Sequence, residues 1–214
     1  MPYWDLETDN ICIGIPYATV TSQCTITWAL KLNNLIKPQG TRIFTSAGQP
    51  IDSARNSIVD MFLNTNSEYL FFLDTDVIVP EDTIIKLMNH NLDIVSALYF
   101  TRTPPIEPCC WKDDLNSIYR AKPIKFEIGQ LIEAEIIGMG ACLINRRVFE
   151  NIDKPYYLWT LGKEDNGVSE DFYFCRKARE KGFKIFCDTS IIGKHVSLCV
   201  SEPSGLIIRS LNEI

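Results

Sequence analysis

The stretch YLFFLDTDVIVPED, residues 69–82, places five apolar or aromatic residues directly before Asp74, Thr75 and Asp76. A second apolar run and a proline follow. A short, uninterrupted apolar run bounded by turn residues predicts a strand that is buried on both faces. Two carboxylates are therefore predicted at the mouth of a buried strand. One interpretation is a strand-to-helix turn in which they cap nearby amides, and the other is a functional site.

Strand and helix patterns alternate through the first hundred residues. Strands are predicted at 11–16, 41–46, 68–74 and 92–100, and helices at 22–36, 51–66 and 81–90. Continuous apolar strands that alternate with helices predict an α/β fold, with helices covering both faces of a mostly parallel sheet. Such sheets bind ligands at the carboxyl ends of their strands. The residues predicted along that edge are Pro16, Ser46, Asp74 and Arg102.

The second half of the chain has a different pattern. A proline-rich loop at 101–116 is followed by strand patterns at 118–129 and 131–144, which are expected to be antiparallel. A loop over 153–169, a helix over 169–182 and a strand over 183–188 come next. We expect a single domain over 1–214, in which 101–196 complete a site begun by 11–100, and 197–214 form a C-terminal tail.

Composition argues against several classes of protein. The chain has 214 residues and a net charge of −6, and its basic clusters are short, so no nucleic-acid partner is expected. The acidic N-terminus lacks a signal-peptide pattern, and no stretch has the roughly 18 apolar residues that span a bilayer. We expect a cytoplasmic protein without an integral membrane segment, docked peripherally to a membrane if its acceptor is a lipid.

The cysteines predict a reducing environment. There are eight of them, without any CxxC pair, which argues against a structural zinc site. Several lie inside apolar runs, where cysteine behaves as a small buried hydrophobe. The exception is the pair Cys109 and Cys110, which falls in the predicted loop and is expected to be open to oxidation.

Asp74 and Asp76 are suited to a hard divalent cation. Mg²⁺ and Mn²⁺ prefer carboxylate oxygens and complete their coordination with water and phosphate oxygens. A bare DxD pattern is a weak signal, but its position at the end of a central strand adds weight to it. We therefore predict a site for Mn²⁺ or Mg²⁺ and a phosphate-bearing substrate.

Five ordered stretches resemble the GT-A glycosyltransferases, specifically family-2-like members of the compact microbial and viral type. They are CIGIPY at 12–17, SARN at 53–56, YLFFLDTD at 69–76, IGMGACLINRRVFE at 137–150 and SEDFYFCRKAREKGFKIFCD at 169–188, with KHV at 194–196 after them. The resemblance implies a Rossmann-like, nucleotide-binding α/β/α sandwich with a smaller antiparallel part. It implies transfer of a sugar from a nucleotide-diphosphate sugar, UDP- or GDP-linked, to an acceptor hydroxyl on a glycan, protein, lipid or small molecule.

The resemblance also implies roles for single residues. The metal ligands would be Asp76, His195 and Asp74, with Asp74 bound through water or touching the ribose instead. Asp171 would be the general base of an inverting reaction, and Glu170 would orient it or bind the acceptor. An acidic pair at a helix start is also favoured by the helix dipole alone. Retention stays open, because a histidine ligand after the last strand is common among retaining enzymes.

Residues 11–100 would then bind the donor, and 101–196 would supply acceptor binding and catalysis. The predicted donor-binding residues are Pro16, Tyr17, Arg55, Asn56, Asp74, Thr75, Asp76, Arg102, Gly138, Met139 and Gly140. The glycines are expected to let backbone approach the donor sugar, with a β-bulge as the alternative. Arg102 is expected to meet a phosphate or an acidic acceptor, or else to be a solvated loop residue.

The acceptor and the base are less well specified. Trp111 and Trp159 lie in predicted loops and suit stacking on a sugar, although loop aromatics often anchor their own loop. The GKEDNG stretch, residues 162–167, is predicted to be a mobile lid. The family's acidic turn after the second strand is replaced by TSAGQPID, residues 45–52, so the resemblance does not specify the base.

Rival functions are weaker on the same residues. FLDTDV also matches haloacid-dehalogenase-type phosphatases, where Asp74 would be the nucleophile. Those enzymes usually carry the motif on the first strand, and here two predicted strands precede it. A nucleotidyltransferase would want a glycine-rich basic loop, which PYATVTSQ at 16–23 lacks. A non-catalytic sugar-binding protein is the remaining alternative.

Overall fold

The structure is a computed structural model that describes residues 10–17, 23–102, 104–114, 121–160, 168–196, 200–202 and 205–207. Its helices are α1 (Gln23–Asn34), α2 (Ile51–Leu63), α3 (Thr83–Asn89), α4 (Arg146–Asn151) and α5 (Glu170–Glu180). Its strands are β1 (Ile11–Tyr17), β2 (Arg42–Ala47), β3 (Tyr69–Leu73), β4 (Val77–Ile78), β5 (Ile94–Leu98), β6 (Cys110–Asp113), β7 (Ala121–Pro123), β8 (Leu131–Ala134), β9 (Ile136–Ile137), β10 (Ala141–Asn145), β11 (Ile185–Ile192), β12 (Lys194–Val196), β13 (Val200–Glu202) and β14 (Gly205–Ile207).

A seven-stranded sheet in the order β2-β1-β3-β10-β5-β11-β8 forms the centre of the fold. Strands β2, β1, β3, β5 and β11 run in one direction, and β10 and β8 run antiparallel to them. The chain is therefore a mixed α/β protein with a mostly parallel central sheet, compatible with a Rossmann-like fold. Strands from both halves of the sequence alternate in this sheet, because β10 pairs with β3 on one side and β5 on the other.

Helices cover both faces of the sheet. Phe72 of β3 meets Tyr157, and a chain of ring contacts continues from Tyr157 to Phe174 of α5 (4.8 Å) and on to Phe149 of α4 (5.8 Å). Phe149 also meets Phe62 of α2, so three helices share this face. The neighbouring side chain, Leu73, faces the other way and shares a small cavity with Trp28 of α1. Alternation of side chains along β3 thus supplies both helix layers.

Several predicted boundaries are corrected by the structure. The segment 131–144 is three strands rather than one, and the predicted loop 101–116 contains β6. Within the predicted strand 118–129, the described residues form only the short strand β7, and residues 115–120 lie outside the described ranges.

Cys109 and Cys110 are both buried, so neither is a loop thiol open to solvent. In the described residues no helix is long and apolar enough to cross a membrane.

The carboxyl ends of the parallel central strands lie at the edge of the sheet where β10 begins. The parallel strands β1, β3 and β5 end at Tyr17, Leu73 and Leu98, and β10 starts at this same edge. The Asp74 N–H donates to the Gly140 carbonyl at 3.0 Å, which joins the end of β3 to the start of β10. Residues from the end of the first half and the middle of the second half therefore meet at one edge.

Gly14 of β1 packs directly against Ile58 of α2. A Cβ there would be 2.5 Å from Ile58 Cγ2. We expect Gly14→Ala to lower the free energy of unfolding by about 1–3 kcal/mol, because the packed helix must shift. Gly193→Ala is the matched control, since its nearest new contact would be an ordinary 3.4 Å. Urea unfolding of both variants measures the difference, and equal stabilities would contradict this account of the packing.

Candidate active site

Two adjoining cavities form a cleft at the carboxyl edge of the sheet. The first has a volume of about 570 Å³ and the second about 370 Å³. Residues that line both are Arg55, Asp74, Asp76, Arg102, Trp159 and Glu170. The first cavity adds Tyr99, Asp171 and His195, and the second adds Pro16 and Tyr17. The cleft therefore collects most of the predicted site residues in one place.

Arg55 of α2 holds the centre of the cleft. Its Nη2 donates to Asp74 Oδ2 at 3.0 Å, and its Nε donates to Glu170 Oε1 at 3.3 Å. The residue is only 2% exposed, and its guanidinium lies 5.2 Å from the centre of the Phe72 ring. Burial alone would lower the pKa of Arg55, but the charges of Asp74 and Glu170 outweigh it and raise the pKa above its ordinary value. Arg55 is therefore a permanent buried cation between two carboxylates.

Two atoms of this group have no hydrogen-bond partner among the described residues. They are Arg55 Nη1 and Asp74 Oδ1, both buried, on residues that line the cleft. A buried polar atom without a partner costs about 1–3 kcal/mol, so the pair marks a place where a ligand would be bound. One is a donor and the other an acceptor, and a hydroxyl of a ribose or a sugar could partner either.

Asp76 has different partners from Asp74. Its Oδ2 accepts from Arg102 Nη1 at 2.7 Å and lies 3.5 Å from His195 Nε2. Partial burial alone would raise the pKa of Asp76, but the hydrogen bond and charge of His195 and the charge of Arg102 lower it. The carboxylate is thus held in its ionised form. The structure brings Asp76 and His195 together and pairs Asp74 with Arg55 instead.

Asp76 and His195 are the described side chains that could share a divalent cation at this edge. His195 Nδ1 lies 2.8 Å from the Phe100 carbonyl, which can only accept, so Nδ1 carries the proton. Nε2 faces the carboxylate of Asp76 and has two possible states: a protonated Nε2 donates to the carboxylate, and a deprotonated Nε2 offers a lone pair that a cation could share with it. This orientation of a histidine by a backbone carbonyl is typical of metal ligands. No group of three or more acidic, histidine or cysteine side chains converges within the described ranges, so phosphate and water would complete the coordination.

Glu170 and Asp171 lie at the start of α5 and face the first cavity. Asp171 Oδ1 accepts from the Phe172 N–H at 2.9 Å and from the Ser169 hydroxyl, so Oδ2 is the oxygen left for a substrate. Burial raises the pKa of Asp171, although Ser169 and Arg55 oppose the shift. Burial and the charge of Asp171 raise the pKa of Glu170 to about 6. Raised pKa values make both carboxylates stronger bases than exposed ones.

The glycines of the GMG stretch leave room for the side chain of Tyr99. A Cβ on Gly138 would lie 2.1 Å from the Tyr99 hydroxyl oxygen, and one on Gly140 would lie 2.9 Å from it. That oxygen accepts from the Gly140 N–H at 2.9 Å. Gly138 and Met139 still line the first cavity. Tyr99 itself was missed, because in sequence it is one more aromatic residue in an apolar strand.

Asn56 and Trp111 are corrected by the structure. The Asn56 amide donates to the Tyr157 carbonyl at 2.7 Å, and its oxygen accepts from the N–H groups of Tyr156 and Tyr157. These bonds occupy the side chain in holding a loop, which leaves it no role on a nucleotide. Trp111 of β6 is 9% exposed and packs on Phe172 of α5, so it is a core residue rather than a platform for an acceptor.

Trp159 and several other predicted residues line the cleft. Trp159 is 47% exposed and lines both cavities. Its backbone N–H donates to Asp52 Oδ2 at 3.1 Å, which anchors the loop to α2. The second cavity is lined by the predicted Pro16, Tyr17 and Thr75, and also by Gln49, Ile51 and Ala54. Gln49 and Ile51 belong to TSAGQPID, where the sequence left the base unspecified. The predicted lid at 162–167 lies outside the described residues.

Comparisons with known proteins support the fold alone. No protein-family model matches the chain, and no curated protein does. Solved structures match it in 222 chains, so the arrangement of elements is shared with known proteins. One of them is the crystal structure of A197 from STIV, with a TM-score of 0.68 and 20% identity over 94% of each chain. At that identity the likeness extends to a Rossmann-like α/β architecture and not to an activity.

Removal of the Asn56 amide tests its structural role. We expect Asn56→Ala to lower the free energy of unfolding by about 2–4 kcal/mol, because several backbone groups of the loop lose their partner. The exposed Asn151→Ala, whose amide donates only to the Arg147 carbonyl at 2.7 Å, is the control and should change stability by less than about 0.5 kcal/mol. Denaturant unfolding gives both values. A neutral Asn56→Ala that loses nucleotide binding would restore the original prediction.

Proposed function

We propose that the protein is a metal-dependent glycosyltransferase of the GT-A type, which transfers a sugar from a nucleotide-diphosphate sugar with inversion. The observation that carries the proposal is the set of residues that line the first cavity. Asp171, a carboxylate with a raised pKa, faces the same space as the Asp76–His195 pair. A base on one side and a cation site on the other is the arrangement that sugar transfer from a diphosphate requires.

The donor would span the two cavities. The second cavity, with Pro16, Tyr17 and Ile51, is a slot of suitable chemistry for a base and ribose. Arg55 and Asp74, whose Nη1 and Oδ1 are unpartnered among the described residues, line both cavities and would offer a donor and an acceptor to ribose or sugar hydroxyls. The diphosphate would then lie beside Asp76 and Arg102, and the sugar would enter the first cavity. Trp159 spans both cavities and offers a ring face to a sugar.

Asp171 would act on the acceptor. Its Oδ2 takes the proton of the acceptor hydroxyl as that oxygen attacks the anomeric carbon and the bond to the diphosphate breaks. Ser169 and the Phe172 N–H hold Oδ1, which fixes the direction of Oδ2. Glu170 accepts a hydrogen bond from Arg55. This bond joins α5, the helix that carries Asp171, to α2 on the donor side of the cleft. When bound, Mn²⁺ or Mg²⁺ at Asp76 and His195 would supply positive charge to the leaving diphosphate.

Nucleotide binding is the first test of this function. We expect one diphosphate among UDP, GDP, ADP and TDP to raise the melting temperature only with Mn²⁺, since the cation must neutralise the diphosphate beside Asp76. At about 100 times its dissociation constant it should add roughly 2.7 kcal/mol of stability. Asp76→Ala should remove the shift, and Asp82→Ala, which loses only a surface pair with Lys86, should keep it.

The same melting experiment tests the phosphatase alternative when fluoroberyllate is added to the panel. If no nucleotide shifts the melt and fluoroberyllate does, Asp74 is the nucleophile of a phosphatase and the transferase proposal is wrong. The ion pair of Asp74 with Arg55 argues against that role, because it withdraws charge from the attacking oxygen.

Asp171→Asn separates catalysis from binding. We expect a loss of roughly 10²- to 10⁴-fold in release of nucleoside diphosphate from the donor, because proton removal from the acceptor is lost. Binding of Mn²⁺ and the diphosphate should be unchanged. Glu180→Gln, at the exposed end of the same helix, is the matched control. Near-full activity in Asp171→Asn would rule out this base and favour retention.

The acidic side of the pH profile reports the same carboxylates. The base must be ionised, and burial raises the pKa of Asp171, so activity should fall as pH drops at a higher pH than an ordinary aspartate would give. Glu170, with a pKa of about 6, should lose its negative charge over the same range. Steady-state rates between pH 5 and 8 test this, and a flat profile down to pH 5 would contradict it.

A further inference from the structure

Arg102 occupies the oxygen that the proposed cation would need. Its Nη1 lies 2.7 Å from Asp76 Oδ2, and that same oxygen is 3.5 Å from His195 Nε2. The guanidinium therefore already neutralises the carboxylate on the side that faces the imidazole. A divalent cation bound to Asp76 and His195 would be in repulsive contact with this guanidinium. The two cations cannot share the site, so one must leave when the other binds.

The backbone beside Arg102 is anchored by hydrogen bonds, whereas its side chain is exposed and bonded to Asp76. The Thr101 N–H donates to the Glu107 carbonyl at 2.9 Å, and the Glu107 N–H donates to Thr101 Oγ1 at 3.0 Å. Phe100 and Pro108 form a bridge that closes the base of this loop. The Arg102 side chain is 53% exposed. Exposed side chains change rotamer within nanoseconds, so the guanidinium can move without any rearrangement of the loop.

A second anion would give the displaced guanidinium a new partner. Arg102 lines both cavities, so its side chain borders the place proposed for the diphosphate. Guanidinium groups bind phosphate oxygens through two parallel hydrogen bonds. A diphosphate thus offers Arg102 a partner at least as good as Asp76, and it offers the cation further ligands at the same time.

We infer that Arg102 is a counter-ion that keeps the cation site of Asp76 and His195 filled until a diphosphate takes the guanidinium away. The inference rests on the proposed metal-dependent function and concerns the order in which the site fills. Without a diphosphate, the cation competes with Arg102 and binds weakly. With a diphosphate, Arg102 changes partner, and the same residue that blocked the cation then binds the substrate. Arg102 therefore couples occupation of the cation site to the presence of the donor.

The experiment measures binding of Mn²⁺ alone, by the electron paramagnetic resonance signal of free Mn²⁺, to the wild-type protein and to Arg102→Met. We expect Arg102→Met to bind Mn²⁺ about fivefold more tightly, because an exposed ion pair worth about 1 kcal/mol no longer competes. Lys194→Met is the matched control. It removes the same charge one residue from His195, but Lys194 lines a separate cavity with Ile78 and Glu81. It should stay within about twofold of wild type.

Each outcome separates this inference from the proposed function. Equal affinity of Arg102→Met and wild type for Mn²⁺, measured without a nucleotide, overturns the inference and leaves the metal site in place. Equal tightening by Arg102→Met and Lys194→Met shows a general effect of charge and also overturns it. If neither protein binds Mn²⁺, even with UDP or GDP added, the metal-dependent function itself is wrong and the inference falls with it.

Discussion

The cleft depends on one buried cation, Arg55, and on the rule that a charge removed from water must be neutralised nearby. Its guanidinium joins α2, the end of β3 and the start of α5 through Asp74 and Glu170. Removing one partner of such a group typically costs about 3–5 kcal/mol, because the other charge stays buried without compensation. Three elements that are far apart in sequence are therefore held at fixed distances. The position of Asp171, one residue beyond Glu170, follows from that constraint.

The two aspartates of the DTD motif have different partners, and only Asp74 neutralises the buried Arg55. Asp74 pairs with Arg55 and has one oxygen without a partner among the described residues, whereas Asp76 faces His195 and the exposed Arg102. One carboxylate is thus suited to hold a hydroxyl and the other to hold a cation. An extended segment would place Asp74 and Asp76 on the same face, because side chains two residues apart point the same way. The chain turns at Thr75 and Asp76 instead, with the Val77 N–H donating to the Asp74 carbonyl at 3.1 Å, and the two carboxylates meet different partners.

Local pattern predicted most elements, and long-range pairing could not be predicted from it. The apolar run before Asp74 is a buried strand, and the helix that carries Glu170 and Asp171 starts within one residue of its predicted start. Insertion of β10 between β3 and β5 leaves no local signal, because it depends on which strands pair. Trp111 and Asn56 were misassigned for the same reason, since only the folded chain shows that Phe172 covers one and a loop occupies the other. The division of the chain into donor and acceptor halves stays a prediction.

The central claim is that Asp76 and His195 hold a divalent cation beside a nucleoside diphosphate, and anomalous diffraction tests it most directly. Crystals would be grown with Mn²⁺ and whichever of UDP or GDP stabilises the protein, with data collected at the manganese edge. The account predicts an anomalous peak at about 2.2 Å from an Asp76 carboxylate oxygen and from His195 Nε2, with Arg102 turned to the phosphates. A bound diphosphate with no peak there, and with Arg102 still on Asp76, would contradict it.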